Sequence, residues 1–347
     1  MNEFSKKPKF LTYPADKMEN YLYKYVTSYE GKTSKYIKNY FGWDELDSKN
    51  IKNIYSGKAF RPSICILVCT SFSGTLEMAL PPSISVELVH NFSLIHDDIE
   101  DNDKVRRHKP TLWTIWGIPK AIITGNSILV LGNKVLNNMT KNGSTEKDLF
   151  LSQKILTESY LKMMEGQFLD ISFEKEKNIS LEKYLKMISL KTGALIECSV
   201  TLGAIASKKD IDDFLYNLVS TFGRDIGLLF QIRDDLLGVW GTDKTGKPVG
   251  ADIKRKKKSL PIILSLNSKN KSASIKINEI LSKPGLEQRD VNDVMDVMDV
   301  LKIKEKCEEI SKNYQLSIEE TIEKLPIEKD QKIIFKEISE FLISREN

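Results

Sequence analysis

The chain has 347 residues, of which 41% are hydrophobic and 29% charged, a balance that is ordinary for a globular protein with a large core. Its 52 Lys and Arg against 48 Asp and Glu leave a net charge of +4, too small to favour a nucleic-acid-binding protein. The N-terminal MNEFSKKPKF lacks the apolar core of a signal peptide, and no stretch approaches the ~18 uninterrupted apolar residues of a membrane span. We therefore expect a cytoplasmic protein with no membrane span.

Apolar residues recur at helical spacing through most of the chain, and the alternation typical of strands is absent. Residues 1–15 are predicted to be a loose, basic lead-in. One or two helices are expected from Asp16 to about Tyr40, and another from Ser63 to about Met78. Pro81–Pro82 are expected to break the chain before the next helix.

Further helices are predicted over residues 118–139, 148–173, 181–190, 192–207 and 210–240, and several between 259 and 345. We therefore predict an all-α fold with a single domain over residues 1–347. Residues 241–258 are rich in glycine and lysine, so we interpret them as a mobile lid that contacts phosphate. The four cysteines, Cys65, Cys69, Cys198 and Cys307, form no CxxC pair and are interpreted as buried free thiols.

The most informative stretch is a predicted apolar helix that begins near Val86 and ends in several aspartates. Asp97 and Asp101 are four residues apart and share one helix face, where like charges repel unless a cation lies between them. Oxygen ligands of this kind suit Mg2+, which commonly bridges to phosphates. Arg106 and Arg107 follow the helix and suit an anion held by forked hydrogen bonds.

A second apolar helix, GLLFQIRDDLLGVWG, carries another acidic pair, Asp234 and Asp235. Two such helices facing each other can hold several Mg2+ ions around one diphosphate. With this pair, the chain resembles the trans-type short-chain isoprenyl (polyprenyl) diphosphate synthases. Six blocks carry the resemblance over about residues 55–265, in the family's order: SGKAFRP, VHNFSLIHDDIED, RRHKPT, LKTGAL, FQIRDD and KKKSLP.

The resemblance implies a homodimer of helical bundles, each around a deep central cleft, and Mg2+-dependent head-to-tail transfer of an allylic diphosphate onto isopentenyl diphosphate. It assigns metal ligands to Asp97, Asp101, Asp234 and Asp235, with Asp98 in support. It assigns the clamp for isopentenyl diphosphate to Lys58, Arg61, His90 and Arg107. It assigns the shell around the allylic diphosphate to Arg106, Lys191, Thr192, Gln231, Lys247 and Lys257, among which Lys191, Thr192 and Gln231 stabilise developing charge.

The chain departs from the family's pattern at two positions. Gly238 stands where many members have a third aspartate of the second motif, so that position offers no side chain to a metal ion. His108 stands where a glycine commonly follows the arginine pair. A further acidic repeat, Asp290, Asp293, Asp296 and Asp299, alternates with Val and Met, and we interpret it as the outer face of an amphipathic helix.

Product length is expected to depend on Phe92 and Ser93, one helical turn before Asp97. At 1.5 Å rise per residue, Phe92 lies about 7–8 Å below the aspartate. In the family, one aromatic at the deeper of these positions is associated with a C20 product and two aromatics with a C15 product. We therefore predict geranylgeranyl diphosphate, with farnesyl diphosphate as the alternative.

Three other functions remain open at this point. A terpene cyclase on the same helices would keep the aspartates without binding isopentenyl diphosphate. A non-catalytic subunit of a heteromeric synthase would be free to lose both acidic pairs, which this chain has kept. A nucleic-acid-binding helical protein would rest only on the basic run Lys254–Lys258.

Overall fold

The structure is a computed structural model that describes residues 9–43, 59–107, 109–176, 178–207, 210–241 and 248–344. Three residues with predicted roles or noted departures, Lys58, His108 and Lys247, lie outside these ranges. The described residues are almost entirely helical, which confirms the all-α prediction.

The helices are α1 Lys9–Thr27, α2 Ser34–Phe41, α3 Phe60–Ser71, α4 Leu76–Glu100, α5 Leu112–Trp116, α6 Ile118–Leu136, α7 Glu146–Phe173, α8 Leu181–Ile188, α9 Ala194–Ala206, α10 Asp213–Trp240, α11 Ala251–Lys254, α12 Leu260–Leu266, α13 Lys271–Leu281, α14 Gln288–Val300, α15 Ile303–Lys324 and α16 Lys329–Ser344. A 3-10 helix, Asn137–Asn142, follows α6, and a π-helix, Ser189–Gly193, joins α8 to α9.

The chain divides into two compact units. The first comprises the residues up to Tyr160 and Cys198–Val219, and its core lies where α4 packs against α3 and α6. The second comprises Leu161–Glu197 and the residues from Ser220 onward, and its core includes Tyr184, Ile232 and Met298. The helices α7, α9 and α10 each contribute to both units. The predicted single domain over the whole chain stays a prediction.

Contrary to the prediction, the two prolines of α4 do not break the helix. Thr75 caps the N-terminus by accepting a hydrogen bond from the backbone N–H of Met78 at 3.4 Å. The helix then continues through Pro81 and Pro82, although each removes a backbone donor. Both prolines are buried, as is nearly every residue from Met78 to Val89, so core packing offsets the lost hydrogen bonds.

Four smaller predictions need correction. Helix α1 begins at Lys9, so the second half of the predicted 1–15 lead-in is helical. A short antiparallel hairpin, β1 Val105–Arg106 with β2 Lys109–Pro110, interrupts the helices. Helix α11 occupies part of the predicted 241–258 lid. In α14, Asp290 is buried, accepts from the backbone N–H of Glu287 and pairs with Lys283, so it does not belong to the outer acidic face.

One continuous helical run, Leu181–Ala206, is long and apolar enough to cross a membrane. Its apolar window is 78% buried inside the protein, which is the arrangement of a core helix. All four cysteines are free and buried, as predicted. Burial raises the pKa of the Cys69 and Cys307 thiols to about 12 each, so these side chains behave as small apolar residues.

Candidate active site

In the second unit, the site is built around the π-helix Ser189–Gly193, which carries Lys191 and Thr192. A π-helix is rare and often marks a functional site, because its wider turn redirects side chains. Glycines let neighbouring helices approach this turn closely. A Cβ atom on Gly227 of α10 would lie 2.6 Å from Cα of Gly193, and one on Gly166 of α7 would lie 2.2 Å from the backbone nitrogen of Lys191. Close helix packing therefore fixes the two side chains.

Lys191 and Thr192 each have a defined partner. The Lys191 ammonium lies 2.6 Å from Asp170 Oδ2 on α7. The Thr192 hydroxyl donates to Gln231 Oε1 on α10 at 2.7 Å, and Gln231 Nε2 in turn donates to Asp235 Oδ1 at 3.0 Å. The structure thus joins Thr192, Gln231 and Asp235 of the second aspartate pair into one hydrogen-bonded chain.

Asp235 is the hub of this unit and is only 1% exposed. Its Oδ1 accepts from Gln231 and, at 3.2 Å, from the Lys257 ammonium. Its Oδ2 accepts from the Tyr184 hydroxyl and, at 2.8 Å, from the backbone N–H of Leu260 at the start of α12. Four donors occupy the two oxygens, each of which offers two lone pairs. These four donors hold Asp235 within the protein, and the metal role predicted for it stays a prediction.

Asp234 differs from its neighbour because it is only half-buried. The Lys257 ammonium lies among four carboxylates, those of Asp235, Asp252, Asp234 and Asp170. Burial lowers the pKa of Lys257, but these carboxylates outweigh it and raise the pKa above its ordinary value. The lysine is therefore a permanent cation at the end of the second aspartate motif, and its predicted contact with the allylic diphosphate stays a prediction.

In the first unit, Arg61 on α3 meets His90 on α4, with Arg61 Nη1 3.3 Å from His90 Nε2. Burial, together with Arg61, Arg107 and Arg106, lowers the pKa of His90 well below its ordinary value. The imidazole is therefore neutral at pH 7, and its Nε2 can accept a hydrogen bond from the Arg61 guanidinium. Burial also lowers the pKa of Arg61 to about 10, which still leaves it charged. Two of the three clamp residues that the structure describes, Arg61 and His90, thus form a pair.

The first aspartate motif lies at the C-terminal end of α4, with Asp97 half-buried and Asp101 exposed at the C-cap. Carboxylates are disfavoured there, because the helix dipole is negative at that end. Asp98 is buried and accepts from Nε of Arg106 on β1 at 2.5 Å. Burial raises the pKa of Asp98, and Arg106 opposes that rise. The structure thus pairs Asp98 with Arg106, and the support that Asp98 is predicted to give the metal ligands stays a prediction.

A cavity of about 230 Å3 opens beside this ion pair. Its lining includes Asp98, Arg106, Arg107 and two residues of a hydrogen-bonded pair, Tyr40 and Asn91. The Tyr40 hydroxyl donates to Asn91 Oδ1 at 3.0 Å, and Asn91 Nδ2 donates to Glu87 at 3.0 Å. Arg107 is exposed at the cavity's rim. The cavity thus presents two guanidinium groups to a small anionic ligand.

Phe92 and Ser93 lie on α4 below the aspartates. Phe92 is 4% exposed and makes an edge contact with the His96 ring, with centroids 4.7 Å apart. Ser93 is half-buried, and its hydroxyl donates to the backbone oxygen of His90 at 2.8 Å. The aromatic and the small residue therefore differ in volume and in partner, as the product-length prediction requires.

Several residues of these networks were not predicted from the sequence. Tyr184, Asp170 and Asp252 contact predicted site residues, but each stands alone in its segment without a motif around it. In the first unit, Glu87 and Asn91 carried a signal, because two polar residues four apart on an apolar helix indicate a buried pair.

The donor set fits Mg2+ only if phosphate oxygens complete the coordination. Within the described residues, no group of three or more His, Cys, Asp or Glu side chains is close enough to hold a metal ion alone. Mg2+ is usually bound by one or two carboxylates with waters and substrate phosphates. In the first unit, half-buried Asp97 and exposed Asp101 would supply such carboxylates. In the second unit, half-buried Asp234 would supply one.

Comparisons with known proteins agree with these observations. Residues 45–298 match the sequence profile of the polyprenyl synthetase family. The geranylgeranyl diphosphate synthase of Mycobacterium tuberculosis is 36% identical over 236 residues, 68% of this chain and 65% of that protein. The (2E,6E)-farnesyl diphosphate synthase of the same organism is 35% identical over 229 residues, 65% of this chain and 61% of that protein. The matches therefore span just under two thirds of these relatives' length.

A solved structure gives the same result over a larger part of the chain. The crystal structure of a polyprenyl synthetase from Streptomyces coelicolor A3(2) superposes with a TM-score of 0.87 and 28% identity. The superposition covers 96% of this chain and 98% of that one. The all-α fold is thus the fold of a known polyprenyl synthetase.

Proposed function

Because the chain belongs to the polyprenyl synthetase family, we propose that it is a Mg2+-dependent prenyltransferase that joins isopentenyl diphosphate head-to-tail to an allylic diphosphate. The observation that carries this function is the cluster at the end of the second aspartate motif. There, half-buried Asp170 pairs with the Lys191 ammonium, and buried Asp235 accepts from Lys257 and Gln231. The Thr192 hydroxyl donates to Gln231. Such a cluster suits a diphosphate that gains negative charge as it leaves.

In the proposed reaction, the bond between the allylic C1 and its diphosphate oxygen breaks, and the electron pair stays on the diphosphate. Lys191 and Lys257 stabilise that charge, while the oxygens of Thr192 and Gln231 offer dipoles to the allylic cation. When bound, Mg2+ supplies further positive charge to the leaving group. C4 of isopentenyl diphosphate then uses its double bond to attack the allylic C1, which leaves a cation at C3 of isopentenyl diphosphate. C2 loses a proton to the released diphosphate, and the electron pair of that C–H bond forms the new C2–C3 double bond.

Arg61 and neutral His90 are proposed to bind isopentenyl diphosphate together with Arg107. A neutral imidazole adds no charge of its own, so the guanidinium of Arg61 carries the attraction for the anion. The short contact between the two side chains supports a shared role. Lys58 and Lys247 are proposed from the family pattern alone, because they lie outside the described residues.

The test is turnover of labelled isopentenyl diphosphate with dimethylallyl, geranyl or farnesyl diphosphate, with and without Mg2+, followed by chromatography of the products. The proposed function predicts Mg2+-dependent chain elongation. Conversion of the allylic substrate to a cyclic hydrocarbon without use of isopentenyl diphosphate would identify a terpene cyclase instead. A folded protein that converts neither substrate would be the non-catalytic subunit.

Geranylgeranyl diphosphate is the proposed main product. Similarity alone does not separate it from farnesyl diphosphate, since the two Mycobacterium tuberculosis synthases are 36% and 35% identical to this chain. The buried ring of Phe92 beside the small Ser93 supports the C20 product. Phe92→Ala should lengthen the product and Ser93→Phe should shorten it. Unchanged product length in both folded variants would place the chain-length determinant elsewhere.

The resemblance also implies a homodimer, and an apolar stripe on α6 supports this proposal. Ile118, Ile122, Ile123 and Val130 are between 39% and 63% exposed, although they lie on a helix whose buried face belongs to the core of the first unit. Exposed apolar stripes of this kind mark protein interfaces. Ile122→Glu with Val130→Glu should reduce the mass in solution from a dimer to a monomer, measured by light scattering. A monomeric wild-type protein would reject the proposal.

A further inference from the structure

Gly238 is a buried residue of α10 that stands where many family members have an aspartate. Alanine is favoured over glycine in a helix, so a glycine here needs a reason in packing. A Cβ atom at position 238 would lie 2.2 Å from Oδ2 and 2.3 Å from Cγ of Asp252. The carboxylate of Asp252, on α11, therefore occupies the space that a side chain at position 238 would need.

Asp252 contacts Lys257 through both its side chain and its backbone. Its Oδ2 lies 3.7 Å from the Lys257 ammonium, which lies 3.2 Å from Asp235 Oδ1. Its backbone oxygen accepts from the backbone N–H of Lys257 at 2.9 Å. A lysine stem has four rotatable bonds, so contact with one carboxylate leaves the ammonium room to move. Carboxylates from two elements, α10 and α11, restrict it further.

We propose that Asp252 is a positioning residue that supplies, from α11, the carboxylate that the second aspartate motif lacks at position 238, and that Gly238 is the residue that leaves room for it. Asp252 and Asp235 together fix the Lys257 ammonium where the proposed function requires a cation for the leaving diphosphate. The catalytic consequence rests on that proposed function. The coupling of positions 238, 252 and 257 rests on the packing alone.

The first test measures Lys257 directly and needs no activity. Purified variants are labelled with limiting acetic anhydride, and the acetylation of Lys257 is divided by that of exposed Lys254 on α11, measured by mass spectrometry. Asp252→Ala should raise this ratio at least threefold, because the ammonium loses a partner. Gly238→Ala should raise it as well, because the new methyl group displaces the Asp252 carboxylate.

The rescue variant makes the test specific. Gly238→Asp combined with Asp252→Ala returns a carboxylate to the vacated space, so the labelling ratio should fall to within twofold of the wild-type value. Asp252→Asn keeps the side-chain volume and should give an intermediate ratio, which guards against misfolding of the alanine variant. A ratio that is unchanged in Asp252→Ala and Asp252→Asn, or that is not restored by Gly238→Asp, would overturn the inference.

The second test measures how the contact between Asp252 and Lys257 affects turnover. Asp252→Ala should lower kcat about tenfold and leave KM for isopentenyl diphosphate within twofold. In a Lys257→Ala background, Asp252→Ala should cause no further loss, because its effect acts through the lysine. A full additional tenfold loss in that background would contradict the positioning role. Absence of turnover in the wild type would reject the proposed function, while the labelling ratios would still decide this inference.

Discussion

The two aspartate pairs have the same sequence, Asp-Asp at the end of an apolar helix, yet their environments differ. In both pairs the second aspartate is the buried one, with Asp98 3% and Asp235 1% exposed, while Asp97 and Asp234 are half-buried. Asp98 is paired with one arginine, whereas Asp235 accepts from four donors on three helices and a loop. From this comparison we propose that the first aspartate of each pair serves the ligand and the second stabilises the protein.

The largest effect is expected from Asp235→Ala. The substitution would leave the Lys257 ammonium, the Gln231 amide, the Tyr184 hydroxyl and a backbone N–H without their shared acceptor. Breaking a buried charged network costs about 3–5 kcal/mol, so the free energy of unfolding in urea should fall by about that amount. A loss below about 1 kcal/mol would show that Asp235 is not the structural member of its pair.

A smaller loss is expected when the other buried pair is broken. Arg106→Ala would leave Asp98 without its partner, but the arginine side chain is 31% exposed, so water screens part of the interaction. The free energy of unfolding should fall by about 1–2 kcal/mol. Turnover should fall much further, since Arg106 is also proposed to contact the allylic diphosphate. Equal losses of stability for Arg106→Ala and Asp235→Ala would remove the distinction between the two pairs.

Glu87 is also a buried carboxylate, and its pKa makes the stability of the protein depend on pH. Burial, opposed by the hydrogen bond from Asn91 and by Arg107, raises the pKa of Glu87 from 4.5 to about 7. Between these values the folded protein binds the proton more tightly than the unfolded chain, so wild-type stability falls as pH rises. Glu87→Gln cannot titrate and should gain up to about 3 kcal/mol relative to wild type between pH 4 and pH 8. Parallel pH profiles of unfolding for the two proteins would contradict this.

The smallest effect is expected from Asp296→Asn, on the exposed face of α14. Exposed charges away from a site change stability by less than about 0.5 kcal/mol. The variant should match the wild type in urea unfolding and in turnover, and it serves as a control for the other aspartate variants. A change in the Mg2+ requirement would contradict this expectation.

The sequence predicted the helices and singled out the candidate site residues, but it did not predict the partners of those residues. Helical periodicity locates α4 and α10, and the motifs locate Lys191, Thr192, Gln231 and Lys257. The two roles within Asp-Asp could not be predicted, because neighbouring residues differ by about 100° around a helix and the sequence does not show which side is buried. Asp252 and Tyr184 could not be predicted either, because they reach the site through tertiary packing.

The most direct test of the different roles of the two aspartates in a pair compares Asp234→Asn with Asp235→Asn. The two residues are neighbours on α10. For each variant, turnover is measured as a function of Mg2+ concentration, and the urea midpoint is measured on the same preparation. Asp234→Asn should require at least tenfold more Mg2+ with an unchanged urea midpoint. Asp235→Asn should have a lower midpoint and a Mg2+ requirement within twofold of wild type. The reverse result, with Asp235→Asn shifting the Mg2+ requirement and Asp234→Asn lowering the midpoint, would contradict the assignment of the two aspartates.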